Sequence, residues 1–209
     1  AAALLPTVAG GYALAVASEI AIFALFAASL QFLMTTGGLA SFGHAAYFGL
    51  GTYGAAFAVK AMGLPMEAAL LAGPLFGLLG AALFGAFCVR LSGVYFAMLT
   101  LAFAQITWSV ATQWVELTGG DNGMLGIWPS AWAANPAGFY WLALAVAAAG
   151  IALLRILTFS PFGFALRGVR DSTQRAEAIG IGRAGVQWAA FLVAGTTAGL
   201  AGALFAFLK

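Results

Sequence analysis

The sequence predicts an all-α, polytopic transmembrane helix bundle, and three observations carry that expectation. Hydrophobic residues make up 64% of the 209 residues and charged residues only 7%, against roughly 25% charged in soluble domains. The apolar stretches run for about 20 residues at a time, the length that crosses a ~30 Å hydrocarbon layer as a helix. They lack the period-two alternation that marks the strands of a membrane β-barrel. A chain with so few polar groups cannot clothe its surface for water, and backbone within lipid must satisfy its own hydrogen bonds, as a helix does.

Six segments meet the length, at roughly 8–34, 39–59, 68–89, 94–115, 138–157 and 186–208. Gly- or Pro-bearing breaks separate most of them: TTGG from Thr35, MGLP from Met62 and TGGDNGMLGIWP from Thr118. The second segment is dense in glycine, so a short or broken helix is the alternative there. In the third, Gly73, Gly77, Ala81 and Gly85 follow one another every four residues, and Gly195, Gly199 and Ala203 do the same in the last. Small residues at this spacing make a groove in which another helix can approach closely. Packing alone explains such a groove; helices that slide along it during function are the second reading.

Charge orients the bundle. Positive residues concentrate in cytoplasmic loops. The loop 160–185 holds Arg167, Arg170, Arg175 and Arg183, with Arg155 just before it. It is therefore expected inside the cell. Counting back places Arg90 on the same side and the loop 117–137, with Asp121, outside. Lys60 falls outside as the one exception, offset by nearby Glu67. The same count puts Ala1 outside, so a further span is expected before it in a longer protein. The net charge of +2 comes without any basic tract, so no nucleic-acid partner is expected. Cys88 is the sole cysteine, which excludes an internal disulfide and a Cys-cluster metal site. The first Lys or Arg is Lys60, so no basic signal-peptide n-region opens the chain.

Six of the 14 charged residues lie between 160 and 183, in SPFGFALRGVRDSTQRAEAIGIGR. Ser160 and Pro161 read as a helix N-cap and first turn, and Gly180 and Gly182 as its end. Phe162, Ala165, Leu166, Val169, Thr173 and Ala176 fall on one face at helical spacing. Arg167, Arg170, Asp171, Arg175 and Glu177 fall on the other. Asp171 and Arg175, four apart, are expected to pair. Two readings fit this amphipathic helix. It could lie on the membrane with its arginines among anionic headgroups, or it could dock into a groove of a cytoplasmic partner.

Four stretches together resemble the branched-chain amino-acid ABC transporter permeases of the LivM type. They are GGLASFGHAAYFGLGTYGAAF, LSGVYFAMLTLAFAQI, TGGDNGMLGI and the run SPFGFALRGVRDSTQRAEAIGIGRAGVQWAAFLVAGTTAGLAGALFA. They occur in that order over residues 37–206. The resemblance implies a single permease domain over 1–209, part of a longer permease, in a bacterial inner membrane. It makes 160–183 a cytoplasmic loop with a coupling helix that sits on an ATP-binding subunit. The residues this carries over are Arg167, Arg170, Asp171, Arg175, Glu177, Ala178 and Gly180. AEAIG, ending at Gly180, resembles the importer motif that begins Glu-Ala-Ala, although its glycine comes sooner.

The implied partners are two ATP-binding subunits, a second related permease subunit, a periplasmic or lipid-anchored substrate-binding protein, and membrane lipid. Asp121 and Asn122, in the outer loop, are candidates for contact with the binding protein. The chain itself has no G-x-x-x-x-G-K-[ST] phosphate loop, so nucleotide chemistry is expected on separate subunits.

Ser41, His44, Tyr47 and Gln105 are the candidates for a polar lining of the substrate path. His44 is the only histidine. Without a metal partner or nearby carboxylate it reads as a neutral, hydrogen-bonded core residue, yet an ionisable group within a membrane is a functional candidate by default. Glu19 is placed about 22 Å along the helix from Met34, near the outer interface. No cofactor, no metal site and no enzymatic activity are expected: no paired carboxylates, HExxH or GxSxG motif is present. A urea or amide importer permease is the alternative within the resemblance. An ion-coupled secondary transporter is the alternative from another class, and it needs intramembrane acids.

Overall fold

The computed structural model describes residues 10–124 and 126–208. Helix α1 (Gly11–Gln31) continues into a π-helical turn, Phe32–Thr36. It is followed by α2 (Ala45–Met62), α3 (Met66–Cys88), α4 (Gly93–Gln113), the short α5 (Val115–Thr118), α6 (Pro136–Thr158), α7 (Pro161–Asp171), α8 (Thr173–Ala178) and α9 (Arg183–Ala206). The described residues form no strand. Among the described residues, five helices are long and apolar enough to cross a membrane: α1 with its π turn, α3, α4, α6 and α9. They make the chain a multi-pass membrane protein, with the all-α bundle that the composition predicts.

The sixth expected span is the point of difference. The glycine-dense segment 39–59 forms α2, an unbroken helix of 18 residues that begins at Ala45. The chain first turns through residues 37–44, where Gly38 adopts φ +65°. At ~1.5 Å per residue α2 is about 27 Å long. Its small residues face protein, with Gly51, Gly54, Ala55, Ala56 and Ala58 all buried. The helix is too polar and glycine-rich to count among the five, because it sits inside the bundle with little exposure to lipid.

Helices α2, α3 and α9 form the tight core. The two small-residue stripes meet each other: a Cβ on Gly77 would run into the Gly195 carbonyl, and one on Gly199 would lie 2.5 Å from the Gly73 carbonyl oxygen. On the opposite face of α3, Leu71, Leu75, Leu79, Leu83 and Phe87 are exposed, again every four residues. One helix thus turns glycine to protein and leucine to lipid.

Helices α1 and α6 run side by side, with Leu25 against Gly150, and α1 closes on the core through rings of Phe23, Phe48 and Phe205. Helices α1, α3 and α6 therefore all run towards one end of the bundle, where α7 and α8 lie. Helices α2, α4 and α9 run away from it.

Helix α4 stands apart. Only Phe96, Ala97 and Thr100 of its 21 residues are buried. The space between it and α2 and α3 opens into a cavity of about 1060 Å³.

Candidate functional site

The charged segment folds largely as its caps predict. The Ser160 hydroxyl accepts from the Gly163 amide, Pro161 opens α7, and Gly180 ends α8 with φ +88°. Leu166, Val169 and Ala176 are buried beneath it. The segment is nonetheless two helices where the periodicity predicts one. Ser172 is extended, at φ −159° and ψ 99°, and its hydroxyl caps α8 at the Arg175 amide. That break moves Arg175 off the face of α7. Asp171 pairs with Arg170 instead, Nε to Oδ1 at 2.8 Å, and not with Arg175 as expected.

The arginines divide into two groups. Arg167 donates to the Thr158 carbonyl at 2.9 Å and lies over the rings of Phe159 and Phe164. Arg170 donates through Nη1 to the Thr35 carbonyl. Arg183 donates to the Leu91 carbonyl at 2.9 Å and to the Gln187 side chain. Thr158 ends α6, Thr35 lies in the π turn that ends α1, and Leu91 follows the end of α3. Helix C-termini leave carbonyls without partners and carry partial negative charge. The ends of α6 and α1 thus each receive one guanidinium, and a third reaches the link just beyond α3.

The side chains of Arg175 and Glu177 are exposed and make no hydrogen bond or ion pair among the described residues. Ala178, Ile179 and Gly180 are exposed beside them, and Ile179 at 78% is one of the most open apolar side chains. The sequence reading passed over Ile179. Ile179 follows the last residue of α8 and lies three residues past buried Ala176, so spacing alone assigns it to the apolar face and its exposure is seen only in the structure.

The inner site lies around the turn 37–44. His44 is 2% exposed, and its Nε2 is 2.8 Å from the Ser29 hydroxyl. Ser29 directs its single proton to the Phe26 carbonyl at 2.6 Å. With that proton so placed Ser29 accepts from Nε2–H, the tautomer that satisfies both contacts and strands no N–H at Nδ1. Nδ1 is left with its lone pair, and neither it nor the buried Ser41 hydroxyl has a partner among the described residues. The rings of Phe26 and Tyr47 flank the imidazole at 5.4 and 5.6 Å. These contacts are those of a hydrogen-bonded core histidine.

The cavity wall is the next layer out. Phe42, Ala45, Ala46, Leu50, Tyr53 and Gln105 line it, whereas Ser41, His44 and Tyr47 are not among its lining residues. Three of the four path candidates therefore gather behind the wall, and Gln105 faces them across it. The turn is fixed to α4, where the Phe42 amide donates to the Thr100 hydroxyl at 3.2 Å.

The loop after α5 closes over the far end of the cavity. Thr118, Gly120, Asn122, Gly123 and Met124 all line it. Gly119, Gly120 and Gly123 have positive φ, which allows a turn this tight. Asn122 is exposed there; the side chain of Asp121 lies outside the described residues. Trp132 ties the rest of the loop to the start of α3 through Nε1–H to Glu67 Oε1, at 2.6 Å.

Comparison with known proteins gives a consistent result. The family described as "Branched-chain amino acid transport system / permease component" matches residues 12–208. The high-affinity branched-chain amino acid transport system permease protein LivM of Salmonella typhimurium is 26% identical over 223 aligned positions, covering 91% of this chain and 51% of that protein. The chain thus spans about half the length of this curated relative. No solved structure matches it.

Proposed function

We propose that this chain, which belongs to the branched-chain amino acid transport permease family, is transmembrane permease machinery of an ATP-driven importer in a bacterial inner membrane. Its cargo is a branched-chain or other hydrophobic amino acid. The observation that carries the reading is the build of the segment 160–183. It is anchored inward by arginines at or just beyond the ends of three helices, and it presents outward the side chains of Arg175 and Glu177, unpaired among the described residues, with exposed Ala178, Ile179 and Gly180 beside them. A surface helix held only by lipid has no need of three internal anchors. A handle pushed by another subunit does, because a push is delivered only through something that does not slip. Arg175 and Glu177 would set register on the ATP-binding subunit, since charge at an interface gives specificity more than raw affinity. Ile179 would fill an apolar pocket there.

The cavity suits the cargo. It is near the upper end of the roughly 300–1,000 Å³ of small-molecule sites. Aromatic and aliphatic side chains line it, with Tyr53, Gln105 and Thr107 among the few polar groups. Its far end lies under the loop that holds Asn122, where a soluble binding protein would hand over substrate. Among the described lining residues there is no carboxylate, and Glu19 sits exposed on α1 away from the cavity. The ion-coupled alternative therefore lacks an acid on the wall.

The test is reconstitution of the assembled transporter with its ATP-binding subunits and binding protein. Leucine uptake should require ATP, and Glu177→Arg should release the ATP-binding subunits on purification. Uptake at full rate without ATP would overturn the reading. Uptake competed by urea but not by leucine would move the cargo to amides.

A further inference from the structure

We propose that Arg170 is a positioning residue acting within its own chain, tying the docking segment to a strap, residues 32–44, that forms part of the cavity wall. The inference rests on the importer reading above, but its geometry stands independently. Arg170 belongs to α7, which is covalently joined to α6 and, through α8, to α9. Helix α1 has no covalent link to it. The bridge is the guanidinium on the Thr35 carbonyl, oriented by Asp171 on Nε. The stem of the same arginine lies over Gly38, where a Cβ would meet Arg170 Cγ, and Leu166 packs beside Gly37. Docking segment and strap thus meet through a charged contact and an apolar one.

From Gly38 the chain has only a few residues before it reaches the interior. The Phe42 amide is fixed to Thr100 of α4, and Phe42 itself lines the cavity. His44 is fixed to Ser29 of α1. The strap opens with the π-helical turn Phe32–Thr36, a form rare in helices and associated with functional sites. A displacement of α7 is therefore delivered to Thr35 and Gly38, and from there to Phe42 on the wall. Without Arg170 the direct route from α7 to the strap would be reduced to the apolar contact of Leu166 beside Gly37. This assigns Arg170 a different role from Arg175 and Glu177: it faces its own chain, and they face the partner.

Two arms test this with Arg170→Gln and the conservative Arg170→Lys. In the first, the chain alone in lipid nanodiscs is followed by amide hydrogen exchange. A charge-assisted hydrogen bond is strong enough that Arg170→Gln should speed exchange at residues 37–44 about tenfold or more, with Arg170→Lys between. Unchanged exchange there in Arg170→Gln overturns the tie.

In the second, the assembled transporter is assayed for uptake per ATP hydrolysed, a ratio that does not depend on the folded fraction. Arg170→Gln should keep its ATP-binding subunits and lose about tenfold in that ratio, partly restored in Arg170→Lys. An unchanged ratio overturns the positioning role, and so does loss of the ATP-binding subunits, which would place Arg170 on the docking surface. If the unaltered transporter shows no ATP dependence, the importer reading fails, and the exchange arm alone decides the tie.

Discussion

Two glycines in α2, two residues apart, give the sharpest test of the packing. A Cβ on Gly51 would collide with the Gly199 carbonyl oxygen and lie 2.5 Å from Gly199 Cα, whereas a Cβ on Gly49 has nothing within 4 Å. Neither glycine has positive φ, so alanine is conformationally free at both. Both replacements gain about 1 kcal/mol of helix propensity.

At Gly51 the obstacle is backbone, which cannot rotate away. Restoring ordinary contact near 3.4 Å with Gly199 Cα alone requires α2 and α9 to part by about 0.9 Å, since 3.4 − 2.5 = 0.9, and the nearer carbonyl oxygen demands more. Overpacking on that scale costs roughly 1–3 kcal/mol, and a backbone-to-backbone contact belongs at the upper end. The net expectation is Gly49→Ala more stable by about 1 kcal/mol and Gly51→Ala less stable by about 2. A gap of about 3 kcal/mol corresponds to roughly 6–12 °C in Tm for a chain of this size. Thermal unfolding of the two purified variants in one detergent, followed by size-exclusion chromatography of the heated samples, reads it directly. Equal Tm values would mean that α2 and α9 do not pack backbone to backbone at Gly199.

Three further outcomes follow from the same geometry. Ser29→Ala leaves the His44 Nε2–H buried without an acceptor and should cost about 1–3 kcal/mol; adding His44→Leu removes the stranded donor and should recover much of the loss in Tm. Ser160→Ala removes the cap of α7 and should cost about 1 kcal/mol, seen as faster amide exchange confined to the first turn of that helix. Ile179→Ser alters a side chain that is 78% exposed, so stability should stay within about 0.5 kcal/mol of the parent, while retention of the proposed ATP-binding subunits on purification should fall.

Much of this architecture is written in local pattern. The four-residue glycine spacing in α3 and α9 predicts that each offers a groove to some other helix, because a helix turn repeats near that interval and small residues let two backbones approach; that the two grooves face each other is seen only in the structure. Ser160, Pro161 and Gly180 mark the docking segment because capping chemistry is local.

What pattern could not show was anything that depends on distant partners. A serine within an amphipathic run can bond back into its own helix or cap the next one, and the neighbouring residues do not decide which Ser172 does. Without that break, the four-residue spacing pairs Asp171 with Arg175. The anchors are invisible for a deeper reason. Their acceptors are main-chain carbonyls 9, 135 and 92 positions away from Arg167, Arg170 and Arg183, and a carbonyl has no residue signature. Likewise the burial of α2 within the bundle is not legible, because the pattern cannot tell small residues facing protein from small residues facing lipid.

The anchors also answer why so apolar a chain gathers charge in one segment. Helices α1, α3 and α6 all end at the same face, so their carbonyl ends and partial negative charges accumulate there. Lipid hydrocarbon offers nothing to those carbonyls, and a single connecting segment crosses all three ends on its way from α6 to α9. Arginine serves best there because its planar fork stays charged and can bond in two directions at once, as Arg170 does to Thr35 and Asp171. Of the four arginines in 160–185, three are thus committed to their own chain, and Arg175 alone is left to face outward. The docking surface proposed above, with one free arginine, one glutamate and an exposed isoleucine, is small. It needs a rigid mount to transmit force, and the three committed arginines supply one.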